Sequence, residues 1–302
     1  MKPLTPLNGS TVLVRHGVLL ALLLANSGCG IAGHGFAAAA GANAASEYLL
    51  WRAMVALCLI VVVPVIVLTP WLLRRYRHGR GAEVAYRPRW ERSWALEALC
   101  WGVPLLVVAA MAMITARQTF QLDPYRAPDS SAALDIQVIA LDWKWLFIYP
   151  EAHLATLNQL VIPQGRSVHL QLTSAAVMQS FHVPQLSGQI YAMAGMATQL
   201  YVRASQPGTY QGRNNQFNGE GFQDQRFTVQ VLDEPAFTAW ASAAGQRPAL
   251  LDCAELARLR LPGVEPMAQV YGRSTPGLFG WLLAQYGPQP PGCPGLPEAA
   301  RP

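Results

Sequence analysis

Leu134-Asp135-Ile136-Gln137-Val138 alternates apolar and polar side chains, the period of an extended strand with one face buried. The same period returns in Ser167-Val168-His169-Leu170-Gln171-Leu172, in Gln199-Leu200-Tyr201-Val202 and in Arg226-Phe227-Thr228-Val229-Gln230-Val231. Pro163-Gln164-Gly165 and Pro207-Gly208 supply turn chemistry between these runs. Residues 134–232 are therefore predicted to form a small all-β sandwich or barrel.

Upstream of a linker over 117–133, the pattern changes. No charged residue interrupts Ala53 to Leu73, and only Glu97 interrupts Ser93 to Ala116. Each run reaches the roughly 20 residues that cross a bilayer, which predicts transmembrane helices at 51–73 and 93–116. Between them, residues 74–92 hold Arg74, Arg75, Arg77, Arg80, Arg87, Arg89 and Arg92 against Glu83 and Glu91. Such a loop stays in the cytoplasm and leaves both chain ends outside. Trp51, Trp71, Trp94 and Trp101 lie near the ends of the runs, as an aromatic belt or as packing residues.

Lys2, Arg15 and His16 followed by the short apolar run Val18 to Ala25 read as an export signal over 1–28. Asn26-Ser27-Gly28-Cys29 is similar to a bacterial lipobox, which would attach a diacylglycerol and palmitate to Cys29, although Asn26 stands where that motif usually has Leu. The alternative is an ordinary signal with an incidental cysteine. Residues 29–50 then form an external segment. Downstream, 233–286 is predicted as a helical and loop-rich extension, with helical patterns from Phe237 to Ala244 and Leu278 to Tyr286. The Pro/Gly-rich tail 287–302 is expected to be disordered.

Composition agrees with this division. A chain of 302 residues that is 52% hydrophobic and 13% charged places part of itself in lipid. Its net charge of +5 is equalled by the loop alone, seven Arg less two Glu. From Asp123 onward thirteen acids face eleven bases, so no basic face exists to attract nucleic acid. Cys29, Cys58, Cys100, Cys253 and Cys293 show no C-x-x-C spacing that would clamp a metal. Cys58 and Cys100 fall inside apolar runs, where a thiol is a small hydrophobe. Cys253 and Cys293 are a candidate disulfide in an exported domain, with the looseness of the Pro-rich tail arguing against a fixed geometry.

Several strings make a resemblance specific: Asp142-Trp143-Lys144-Trp145 with Phe147-Ile148-Tyr149-Pro150, Ser180-Phe181 with Pro184, Gln189-Ile190-Tyr191-Ala192-Met193-Ala194-Gly195-Met196, and Pro207-Gly208-Thr209-Tyr210. From about Cys29 to Tyr286 the chain resembles subunit II of haem-copper respiratory oxidases, in the quinol-oxidase branch of the cytochrome bo type. That resemblance implies a two-helix transmembrane hairpin and a cupredoxin-like periplasmic domain in a bacterial inner membrane.

In the cytochrome c oxidase branch, that domain holds a binuclear copper through a first His and then C-x-E-x-C-x-x-x-H-x-x-M, the thiolates bridging two soft ions. Laid on this sequence, the first His falls at Gln179, the cysteines at Asn214 and Asn218, and the Glu at Gln216. The second His falls at Phe222 and the Met at Gln225. His182 is three residues off the first position, and 134–232 contains no cysteine, so the expected domain is copper-free. His153, His169 and His182 read as isolated histidines, and Met193 and Met196 as packing residues of an Ala/Gly-rich turn. Trp143 matches the tryptophan through which cytochrome c delivers electrons in the other branch, and without copper beneath it reads as structural.

The resemblance therefore implies a subunit without its own redox centre or catalytic residue, in a proton-pumping ubiquinol oxidase. Haem and copper would sit in partner subunit I, subunits III and IV would complete the assembly, and cytochrome c would not be a partner. A menaquinol oxidase subunit is an alternative. So is a membrane-tethered periplasmic cupredoxin that carries copper, against which the missing cysteine argues. Glu97 lies seven residues before Pro104, as does an acid at the mouth of a proton channel in the family. Five residues after Arg92, it reads equally as an interfacial residue.

Overall fold

The computed structural model describes residues 38–76, 92–126, 132–288 and 292–294. Cys29, the export signal, most of the Arg-rich loop, part of the linker and most of the tail lie outside these described residues.

Helix α1 (Ala42–Arg75) and helix α2 (Trp94–Gln121) are both apolar enough to cross a membrane, and in the most apolar stretch of each almost no residue is fully buried. Ser93 caps α2 by accepting from the Leu96 amide. The 34 residues of α1 correspond to about 51 Å, against a hydrocarbon core of about 30 Å. Its first turns belong to the stretch read as an external segment, and they dock on the outer domain. Ala40 and Gly41 amides donate to the Gln185 carbonyl at 2.7 and 3.1 Å, and the Ser205 amide donates to the Ala40 carbonyl at 2.7 Å. Gly41 is bridged to Ala204, and a Cβ there would lie 2.3 Å from the Leu186 carbonyl oxygen, so only glycine fits.

The outer domain contains ten strands between residues 134 and 232: β1 (Leu134–Leu141), β2 (Lys144–Tyr149), β3 (Leu154–Leu157), β4 (Gln159–Pro163), β5 (Val168–Ser174), β6 (Gln179–His182), β7 (Gln189–Ala192), β8 (Thr198–Val202), β9 (Gly208–Asn214) and β10 (Arg226–Leu232). The extension adds helices α3 (Glu234–Gly245), α4 (Cys253–Leu259) and α5 (Leu278–Ala284), and strands β11 (Leu250–Leu251), β12 (Gln269–Tyr271) and β13 (Arg273–Ser274). One sheet runs β12-β3-β2-β1-β5-β8 and the other β4-β10-β9-β6-β7. β1 pairs antiparallel with β2 and parallel with β5, in register from Leu134 with Val168 to Ala140 with Ser174.

Alternation sends Ile136, Val138, Trp145 and Phe147 between the sheets, where they meet Phe181 and Phe227. Phe181 stacks on Phe227 with centroids 5.0 Å apart, and Trp145 approaches both rings within 5.5 Å. The opposite side chains of the same strands, Ile139, Leu141, Leu146 and Ile148, are buried as well. They join Leu256, Leu259, Leu278, Phe279 and Leu282 of the extension in a second core. The extension therefore covers the outer face of the first sheet and lengthens it, β12 pairing with β3.

Candidate metal centre

Three segments converge at the end of the domain where β1 turns into β2: the start of β6, the end of β9, and the loop that carries a short 3-10 helix (Glu220–Asp224) into β10. They bring together Gln179, Asn214, Asn218 and Gln225. Gln179, Asn214 and Gln225 are buried, at 0%, 4% and 1% exposure, and Asn218 is half-buried.

Gln225 is the hub. Its Oε1 accepts from Asn214 Nδ2 at 2.9 Å and from Asn218 Nδ2 at 2.8 Å. Its Nε2 donates to the Leu141 carbonyl at 3.3 Å and, at closer range, to Gln179 Oε1. Gln179 Nε2 donates to the same Leu141 carbonyl at 3.1 Å. Asn214 Oδ1 accepts the Ser180 and Gln216 amides, both at 2.9 Å, while its Nδ2 also reaches the Gln216 carbonyl at 2.7 Å. Gln216 thus enters through its backbone, and Phe222 stands aside with its ring 5.6 Å from that of Phe217.

Trp143 roofs the cluster. Its backbone has φ +63° and its Nε1 donates to the Asn218 carbonyl at 3.2 Å. The indole lies so close to Gly221 that a Cβ there would come within 2.3 Å of the ring. This contact, with the left-handed φ of +111° at Gly219, explains why the loop beneath Trp143 carries two glycines.

Chemically this arrangement suits the fold and not an ion. A neutral amide nitrogen has no lone pair to offer copper, the side-chain oxygens of Gln179, Asn214 and Gln225 already accept hydrogen bonds, and the buried Asn218 Oδ1, which has no partner, is a single hard oxygen where copper needs thiolate and imidazole. Copper does not fit these donors. Among the described residues, no group of three or more His, Cys, Asp and Glu side chains is placed to hold a metal. The histidines occupy separate settings. His169 Nδ1 meets Asp135 Oδ1 at 2.6 Å and its ring stacks on Tyr201 at 4.6 Å. His182 Nδ1 takes Asn215 Nδ2 at 2.7 Å, and burial, with Arg213 nearby, holds its pKa below the usual histidine range. His153 has φ +52° and accepts the Ser274 amide on its carbonyl.

The other sequence-level candidates lie apart from this cluster. Glu97 is in the first turn of α2 and receives Arg92 Nε at 3.2 Å, the arginine being largely exposed and the glutamate half-buried. Cys253 opens α4 and is joined to Cys293 in a disulfide with Cα atoms 6.2 Å apart. Met196 is exposed, and Gly195 beside it packs against Tyr286 of the extension.

Residues 133–230 match the family of the cytochrome c oxidase subunit II periplasmic domain. Over 244 residues the chain is 39% identical to the cytochrome bo(3) ubiquinol oxidase subunit 2 of Pseudomonas putida, covering 80% of this chain and 77% of that one. It belongs to the quinol oxidase subunit 2 family. The ubiquinol oxidase subunit 2 of Acetobacter aceti is also 39% identical, over 231 residues covering 76% of this chain and 75% of its own. The quinol oxidase subunit 2 of Bacillus spizizenii is 36% identical over 208 residues, 68% of this chain and 64% of that one. The amide cluster gathers Gln179, Asn214, Asn218 and Gln225, four of the six positions on which the sequence resemblance lays copper ligands.

Two residues of the site escaped sequence reasoning. Lys144 is 3% exposed and donates from Nζ to the Leu261 and Gly263 carbonyls at 2.9 and 2.8 Å, tying the extension to the β1–β2 turn. Asn158, at φ +56°, accepts the Trp145 amide on Oδ1 and donates from Nδ2 to the Glu265 carbonyl at 2.7 Å. Asn158 is the single residue between β3 and β4, where the chain crosses from one sheet to the other, and an Asn between two apolar runs is a signal for left-handed backbone, but nothing in the sequence names its distant partner.

Proposed function

We propose that the chain is the membrane-anchored subunit II of a proton-pumping ubiquinol oxidase and holds no redox centre of its own. The observation that carries this reading is the amide cluster: Gln179, Asn214, Asn218 and Gln225 bond to one another where a copper subunit would present thiolates and imidazoles. A domain closed in this way cannot relay an electron from a soluble cytochrome c. The donor is then ubiquinol, oxidised in partner subunit I, where haem and copper reduce oxygen to water. This chain contributes anchoring and assembly, alongside subunits III and IV.

The proposed setting is the bacterial inner membrane, crossed twice, with both ends periplasmic and a lipid on Cys29. Trp51 lies ten residues, or about 15 Å, along α1 from Gly41. The eleven residue-to-residue steps from Cys29 to Ala40 reach about 36 Å when extended, enough to return a lipid to the bilayer. At the opposite membrane face, Glu97 is proposed as the acid at the mouth of a proton path, held by Arg92.

The test is oxygen uptake by the purified complex with ubiquinol, with a menaquinol analogue and with reduced cytochrome c. Uptake with ubiquinol and none with cytochrome c is expected. Oxidation of cytochrome c alone, or a thiolate-copper absorption band from the outer domain, would overturn the reading. Turnover with menaquinol only would replace the donor and leave the redox-inactive role in place.

A further inference from the structure

The extension and the amide cluster grip the same turn from opposite sides. On one side, the Leu141 side chain is buried with Leu256 and Leu259, and Lys144 holds the Leu261 and Gly263 carbonyls. On the other, the Leu141 carbonyl accepts both Gln179 and Gln225, and Trp143 is bonded to the Asn218 carbonyl. Four consecutive residues, Leu141 to Lys144, thus connect the two.

The parts of the extension that make this grip share a second property. The loop 261–265, β12 and α5 all fall between Cys253 and Cys293, which are 40 residues apart in sequence and joined across the end of α4. Without that bond, these segments are held on the sheet by the Lys144 and Asn158 hydrogen bonds, three residues of β12 and the second core. A cross-link over such a span removes conformational freedom from the unseated extension and so favours the seated one.

We propose that oxidation of Cys253 and Cys293 locks the extension over the outer face of the sheet and, through the Leu141–Lys144 turn, tightens the amide cluster. The two thiols form the bond by exchange with an oxidised dithiol oxidoreductase of the exported compartment. That oxidant's disulfide takes up both electrons and both protons and leaves as two thiols. The lock rests on the exported placement of this domain in the proposed function, and is independent of which quinol supplies the electrons.

The test uses the purified complex. Maleimide labelling with peptide mass analysis is expected to leave Cys253 and Cys293 unmodified until a phosphine reductant is added, with Cys58 and Cys100 read on separate peptides. Hydrogen exchange is then followed in the oxidised complex, in the reduced complex and in a Cys253→Ser/Cys293→Ser complex. Reduction and double substitution should both speed exchange by roughly tenfold or more in 253–286, in 141–146 and in 214–225, and leave β5 and β8 unchanged. Should the double variant fail to assemble, the reduced wild-type complex decides the matter. Labelling without reductant, or faster exchange confined to the neighbourhood of Cys293, would overturn the proposal. Oxygen uptake with ubiquinol, measured on the same samples, reports separately on the proposed function.

Discussion

Gln225→Met is the substitution that questions the amide cluster most directly, because it restores a side chain of similar length and removes every hydrogen bond at the hub. Of the four groups that lose Gln225, two keep another partner: Asn214 Nδ2 retains the Gln216 carbonyl at 2.7 Å, and the Leu141 carbonyl retains Gln179 Nε2 at 3.1 Å. Asn218 Nδ2 and Gln179 Oε1 are left with none. An orphaned buried polar group costs about 1–3 kcal/mol, with Asn218 toward the lower end because it is half-buried, so the loss is about 2–5 kcal/mol. Since about 1.4 kcal/mol is a tenfold change in an opening equilibrium, exchange of the 214–225 amides in the purified complex should quicken by roughly 30-fold to several thousand-fold. Asn215→Ala removes contacts to His182 and Gln189 on the solvent side and should change this segment little. A Gln179→Leu/Gln225→Leu pair should cost less than the sum of its single substitutions, since the second replacement removes a group orphaned by the first. If Gln225→Met exchanged within about twofold of wild type, the cluster would not be what holds this end of the domain together.

Other substitutions probe the neighbouring features. Gly212→Ala would place a methyl 2.0 Å from the Phe227 ring in the inter-sheet core, and should cost about 3 kcal/mol or more, read as a lower thermal midpoint of the complex. Lys144→Met leaves the Leu261 and Gly263 carbonyls without their donor and should free the loop 261–265 to early proteolysis while β5 and β8 stay protected. For His182, burial holds the folded pKa below the unfolded value of 6.5, so its neutral form favours folding above that value. That contribution is lost as pH falls through 6.5 toward the lower folded pKa, and His182→Gln should flatten the acid limb of a stability profile. Glu97→Gln with unchanged turnover and unchanged proton pumping would remove the proton-path role proposed for that residue.

The sequence announced some strands and hid others for a physical reason. β1, β5, β8 and β10 alternate along much of their length and were legible from period alone. β2 reads Lys-Trp-Leu-Phe-Ile-Tyr with all six residues buried, and β3 is buried at all four. Their second faces are covered by an extension that begins some eighty residues later, so periodicity had no polar face to show. The candidate site behaved similarly. Gln179, Asn214, Asn218 and Gln225 could be located by resemblance, yet their bonding to one another depends on three segments meeting in space, which no local pattern encodes. Gln216 and Phe222 have the matching positions but do not join through their side chains. Helix α1 likewise extends beyond the apolar run, because the amphipathic turns at its start are packed against the domain and not against lipid.

That overhang sets the phase as well as the height of the outer domain. With Gly41 seated on Leu186 and the helix continuous into the bilayer, each residue added between Ala44 and Leu50 would raise the domain by about 1.5 Å and rotate it by about 100° about the helix axis. Whatever surface the domain presents to its neighbours is thereby indexed to the membrane by a residue count. A single insertion in the overhang turns the domain to face the wrong way.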